Sequence, residues 1–138
     1  MTNWLAGMEV TAARLADGID PTVTTTGLTA ATGFSVNDFY GVKSGKNVEL
    51  AMYVARTGAD ITASGGNITD TACCTVPSGL RPTATSTISG SWDNGVVSGG
   101  FVLGTDGICT LRTSNGNITG TAGSGVSNLR LHVSFIQD

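Results

Sequence analysis

The stretch Asn47-Val48-Glu49-Leu50-Ala51-Met52-Tyr53-Val54-Ala55-Arg56 decides the fold. Val48, Leu50, Met52 and Val54 alternate with Glu49, Ala51, Tyr53 and Ala55. Successive side chains of an extended strand point to opposite faces, so a period of two sends one set into a core and the other outward. The C-terminus repeats the pattern: Leu129, Leu131, Val133 and Phe135 alternate with Arg130, His132 and Ser134. Working outward, shorter strands are predicted over 34–42, 68–76, 83–89, 96–103, 108–113 and 118–122. Turn signals separate them at Lys43-Ser44-Gly45-Lys46, Gly65-Gly66, Asn94-Gly95, Asp106-Gly107 and Asn115-Gly116. Short strands at this spacing, with no helices between them, predict an all-β chain. The expected body is an antiparallel β-sandwich, jelly-roll-like, over residues 34–138. The eight alternating apolar residues of 48–54 and 129–135 are its expected core.

Composition narrows the function classes. At 138 residues the chain can hold one domain with a real core. Hydrophobic residues make up 40%, too many for a disordered chain. A net charge of −3 and only seven scattered Lys and Arg argue against a nucleic-acid partner, because phosphate contacts need clustered cations. There is no basic leader followed by an apolar run, and no segment long enough to span a bilayer, so membrane insertion is not expected. The chain is therefore expected to be made and folded in a cytosol. Three cysteines, two of them vicinal at Cys73-Cys74, make a poor disulfide framework and read as small hydrophobes in strands.

Ahead of the body lies a segment of different character, residues 1–19. Thr11 is a plausible N-cap, 12–17 a short helix and Gly18 its stop. Met8, Ala12, Leu15 and Ile19 would share one face. A helix this short does not hold itself together in water. Trp4, Leu5, Met8, Val10, Leu15 and Ile19 are therefore the expected attachment residues of an anchoring arm; the plainer reading folds the arm back on its own domain. Residues 20–33 are a Thr-rich linker or an edge strand. A further feature is an internal echo. Ser64-Gly65-Gly66-Asn67-Ile68-Thr69 matches Ser114-Asn115-Gly116-Asn117-Ile118-Thr119 at most positions, marking either equivalent corners or convergent turn chemistry.

Catalytic chemistry is poorly supplied, and no enzyme is expected. His132 is the only histidine and lies on the outward phase of its strand, with no nucleophile-elbow sequence in the chain. Asp38, Asp60, Asp70, Asp93 and Asp106 could in principle meet as glycosidase carboxylates, but most sit in apparent turns where Asp is favoured for backbone reasons. Cys73, Cys74, Cys109 and His132 have zinc-ligand atoms. Adjacent strand residues face opposite sides, however, so neither a metal nor any other cofactor is expected. Asn67-Ile68-Thr69 and Asn117-Ile118-Thr119 match the glycosylation pattern by chance. Trp92, Tyr40 and Tyr53 are the aromatic candidates for surface recognition of a sugar ring, Trp92 because Ser91-Trp92-Asp93-Asn94-Gly95 reads as a loop.

The arm Trp4-Leu5-Ala6-Gly7-Met8-Glu9-Val10-Thr11-Ala12-Ala13-Arg14-Leu15 resembles a motif at the starts of many tail and head appendage proteins of tailed bacteriophages. The body adds landmarks in an order similar to heads of phage tail fibres and receptor-binding proteins. They are Phe34-Ser35-Val36, Gly45-Lys46-Asn47-Val48-Glu49-Leu50, Val76-Pro77-Ser78-Gly79-Leu80-Arg81-Pro82 and Asp106-Gly107-Ile108-Cys109-Thr110-Leu111. The resemblance implies that 76–82 is a crossover between strands and Asp106-Gly107 a hairpin tip. It implies a non-enzymatic virion structural protein on the particle surface, commonly a homotrimer, with phage capsid or tail proteins as partners. Only the Thr-rich run separates arm from body, where tail fibres carry a long shaft. A capsid decoration or short head-fibre protein is thus the first expectation. A tail-tip or tail-fibre receptor-binding head, contacting a host cell-surface glycan, is the alternative, and a carbohydrate-binding or carbohydrate-active module the second alternative.

Overall fold

The computed structural model describes residues 20–83, 88–120 and 127–137, together with Gly7, Thr11 and Ala12. Among the described residues nine strands follow in chain order: β1 (Thr22–Thr24), β2 (Thr29–Ala30), β3 (Phe34–Ser44), β4 (Asn47–Arg56), β5 (Asn67–Thr75), β6 (Ile88–Asp93), β7 (Ser98–Leu103), β8 (Ile108–Thr113) and β9 (Asn128–Ile136). All pairings are antiparallel, in one sheet of order β1-β3-β4-β9-β6-β7-β8-β5-β2. The all-β, antiparallel expectation holds. The short helix expected over 12–17, apart from Ala12, lies outside the described residues, as do Trp4, Leu5, Met8, Val10, Leu15 and Ile19.

The sheet curls into a half-barrel because its two edges come from neighbouring pieces of chain. β1 pairs with β3 at one edge and β2 with β5 at the other. Yet β2 reaches β3 through only Ala31, Thr32 and Gly33, closed by the Phe34 amide donating to the Ala31 carbonyl at 3.0 Å. Gly33, at φ 81°, supplies the left-handed step that this tight link requires. The inner faces of the two halves then meet: the Met52 thioether on β4 lies 3.7 Å from Cys109 Sγ and 4.0 Å from Cys74 Sγ. Val48, Leu50, Met52, Val54, Leu129, Leu131, Val133 and Phe135 are all buried, so the register read from the alternation is correct.

Two of the three register shifts in the sheet repair phase errors in the pattern. Phe34 and Phe39 are five residues apart and cannot both face inward in a regular strand, yet both are buried. A register shift between Val36 and Asp38 inserts Asn37 and flips the phase. A second shift, between Ala72 and Cys74 on β5, turns both vicinal cysteines inward. The expectation that they face opposite sides is therefore corrected. Their sulfurs lie 3.8 Å apart.

The crossover and hairpin tip implied by the resemblance are both present, and they pack together. Val76 leaves β5 into a 3-10 turn, Ser78–Leu80, that carries the chain past β7 and β8 to β6. The Val76 amide donates to the Gly107 carbonyl at 2.8 Å, and Arg81 Nε donates to the Val76 carbonyl at 2.7 Å. Gly107 is buried here at φ 86°, where a Cβ would collide with the Arg81 side chain. Gln137 Nε2 ties the C-terminus to the same corner through the Arg81 carbonyl at 2.6 Å. The internal echo also has a structural meaning. The Ser114 amide donates to the Gly66 carbonyl at 3.2 Å and the Ala63 amide to Asn117 Oδ1 at 2.9 Å, so the two similar segments brace one corner.

Candidate functional site on the outer face

Strands β3, β4, β9 and β6 lie side by side, and their outward residues form two cross-strand rows. Tyr40, Ala51, His132 and Ser91 make one row; Asp38, Tyr53, Arg130 and Asp93 make the other. Together these residues line an open cleft of ≈ 340 Å³. The bulge at Asn37 makes this arrangement possible, because it sets the phase that sends Asp38 and Tyr40 outward while Phe39 enters the core. Every wall residue stands on a strand, so the site is held by the sheet ladder rather than by loops.

The polar groups of the cleft are fixed locally. Asp38 Oδ1 accepts from the Phe39 amide at 2.8 Å, and Asp93 Oδ1 accepts from the Gly95 amide at 3.1 Å. The Arg130 guanidinium lies 5.1 Å from the Tyr53 ring centroid, a cation–π distance. His132 Nε2 lies 3.1 Å from Glu49 Oε1, both more than half exposed. Tyr40 is 50% exposed, which leaves its ring open. The cleft therefore offers one open aromatic ring, one held ring, carboxylate acceptors and guanidinium donors, with no buried nucleophile in its wall.

Trp92 is corrected as a surface-recognition candidate. It lies inside β6, is 2% exposed and donates its indole N–H to the Thr113 carbonyl at 3.2 Å. Strand β6 runs through Asp93, and the turn begins only at Asn94, whose Oδ1 accepts from the Val96 and Val97 amides. The Ser-Trp-Asp-Asn-Gly composition looked like a loop because the turn residues abut the strand. Tyr40 and Tyr53 are brought together across β3 and β4. Asp38, Ser91, Arg130 and His132 join them. The sequence signalled Arg130 and His132 through their outward phase in an alternating strand, whereas Asp38 follows the bulge at Asn37 and Ser91 lies in a stretch that reads as a loop.

The other aspartates are spent on structure. Asp70 pairs with Arg112 at 2.7 Å, Asp60 accepts from the Gly120 amide at 2.7 Å and Asp106 from the Ile108 amide at 3.0 Å. The three cysteines are free and fully buried. The hydrogen bond with Cys74, followed by burial, pushes the Cys73 thiol well above its ordinary range. The Cys109 thiol is pushed up for the same reasons. Among the described residues no cluster of His, Cys, Asp and Glu could hold a metal ion, and no helix is long and apolar enough to cross a membrane.

No family model matches the chain, and no curated protein matches it. Among solved structures, it is similar to the receptor-binding protein (gp15) of Listeria phage PSA. The TM-score is 0.57 with 18% identity, covering 91% of this chain and 70% of that one. At that identity the likeness is one of fold.

Proposed function

We infer that this chain is a non-enzymatic surface protein of a tailed-phage particle, serving as a receptor-binding head that adheres to the host cell. The observation that carries this reading is the curled sheet, similar over 91% of the chain to that of a phage receptor-binding protein. The arm motif and the ordered body landmarks support it from the sequence side. In this reading the half-barrel is the sandwich-like head, residues 1–19 attach it to capsid or tail proteins, and the head assembles as a homotrimer. It is made in the host cytosol and displayed on the virion.

A binding rather than hydrolytic role is supported by the spacing of the cleft carboxylates. Asp38 and Asp93 are separated by three strand spacings, about 14 Å, beyond the roughly 5–9.5 Å used by paired glycosidase carboxylates. The arm followed by only a short Thr-rich run favours a second reading, a capsid decoration or head-fibre protein. Competition for adsorption separates the two. Host cells pre-incubated with the purified chain should lose phage adsorption in proportion to the protein bound. Unchanged adsorption on protein-saturated cells would contradict the receptor-binding reading.

A further inference from the structure

We propose that the outer-face cleft is a saccharide site selective for uncharged sugars, holding about a disaccharide and excluding polyanionic polymers. This rests on the adhesion reading above and specifies the ligand chemistry of the site.

Three observations carry it. The first is shape: the row from Asp38 to Asp93 crosses four adjacent strands, about 14 Å, on a rigid sheet face floored by Ala51. An open trough of that length suits an elongated, flat ligand. The second is the pairing inventory. Tyr40 presents an open ring on which the apolar face of a sugar can lie. Around it the row alternates acceptor, aromatic, donor and acceptor in Asp38, Tyr53, Arg130 and Asp93. Vicinal sugar hydroxyls both donate and accept, so they can satisfy this alternation. Each aspartate has one oxygen tied to a backbone amide, so little side-chain freedom is lost when the other accepts from a ligand.

The third observation is charge, and it decides the class. Asp38 and Asp93 line the cleft, while Arg130 is its only fixed cation and already lies over Tyr53. His132 faces Glu49 rather than an open position. A phosphate- or carboxylate-bearing polymer would thus meet more negative than positive charge, on a chain of net charge −3. A neutral ring meets no such opposition.

The test uses the full 138-residue chain. Titration calorimetry and saturation-transfer NMR would be run with neutral disaccharides (lactose, maltose, cellobiose and N-acetyl-lactosamine), with sialyl-lactose and with polyglycerol phosphate. At least one neutral disaccharide should bind in the millimolar range, and both anionic probes more weakly. Tyr40→Ala should weaken the neutral ligand about tenfold, the loss of one stacking contact. Asp93→Asn should weaken it without changing the urea midpoint. Tighter binding of either anionic probe would overturn the charge selection. So would sugar binding that Tyr40→Ala leaves unchanged. If no sugar binds while the chain still blocks adsorption, the saccharide site is wrong and the adhesion reading stands. Tyr40-dependent sugar binding without any block of adsorption would do the reverse.

Discussion

Leu131→Ala tests the register on which both core and cleft depend. Leu131 is 1% exposed on β9, with Met52 of β4 opposite it on one side and Trp92 of β6 on the other. Truncation removes about three methylene equivalents, or roughly 2.4 kcal/mol of transfer free energy at about 0.8 kcal/mol each. The gap is walled by a thioether and an indole that are themselves held by strands and cannot collapse fully. A cavity contribution then brings the total to about 3–4 kcal/mol. Against a typical stability of about 5–15 kcal/mol this is a large loss, lowering the melting temperature by roughly 10–15 °C. The neighbouring His132→Ala removes an exposed side chain and an exposed pair with Glu49, and should cost less than about 1 kcal/mol. Urea denaturation followed by the fluorescence of buried Trp92 reads both. Equal losses at 131 and 132, or a larger one at 132, would refute the inward and outward assignment of β9.

Three further outcomes follow from the same structure. Gly99→Ala would drive a Cβ into the Thr113 carbonyl that accepts the Trp92 indole proton; it should cost about 1–3 kcal/mol in the same urea assay. The cysteines, fully buried and free, should resist a disulfide reagent in the native protein and yield three thiols per chain once denatured without reductant; fewer thiols would indicate a bridge. The trimer proposed for the head predicts light-scattering mass near three times 13.9 kDa, and a monomer at micromolar concentration would count against it.

What the sequence revealed depended on whether one physical signal acted alone. Strands β4 and β8 were legible to the residue, and β9 to within one at each end, because uninterrupted alternation or clear flanking turns fixed them. The corner at 76–82 was legible only through the resemblance, while Asp106-Gly107 also stood out as a turn signal, since Gly107 takes a left-handed backbone. Strand β6 was displaced because Asn94-Gly95 punctuates the chain immediately after Trp92, and turn composition was allowed to spread into the strand. The bulges stayed hidden, although the odd spacing of Phe34 and Phe39 was their trace. Residues 20–33 gave no period, since β1 and β2 are too short to show one. Of the cleft, Tyr40 and Tyr53 were identified as aromatics, but their alliance with Asp38, Arg130 and Asp93 depends on strand order. That order is long-range information: β9 sits between β4 and β6 although it comes last in the chain.

The central claim, that this chain is an adhesion head on the phage surface, is tested most directly by electron cryo-microscopy of the intact particle. Antibody labelling of the same particles with serum raised against residues 20–138 would identify the density. The account predicts label and half-barrel density at the host-facing end of the tail. Density confined to the capsid shell would contradict the receptor-binding reading in favour of decoration, and a particle that carries none of this protein would contradict the virion role altogether.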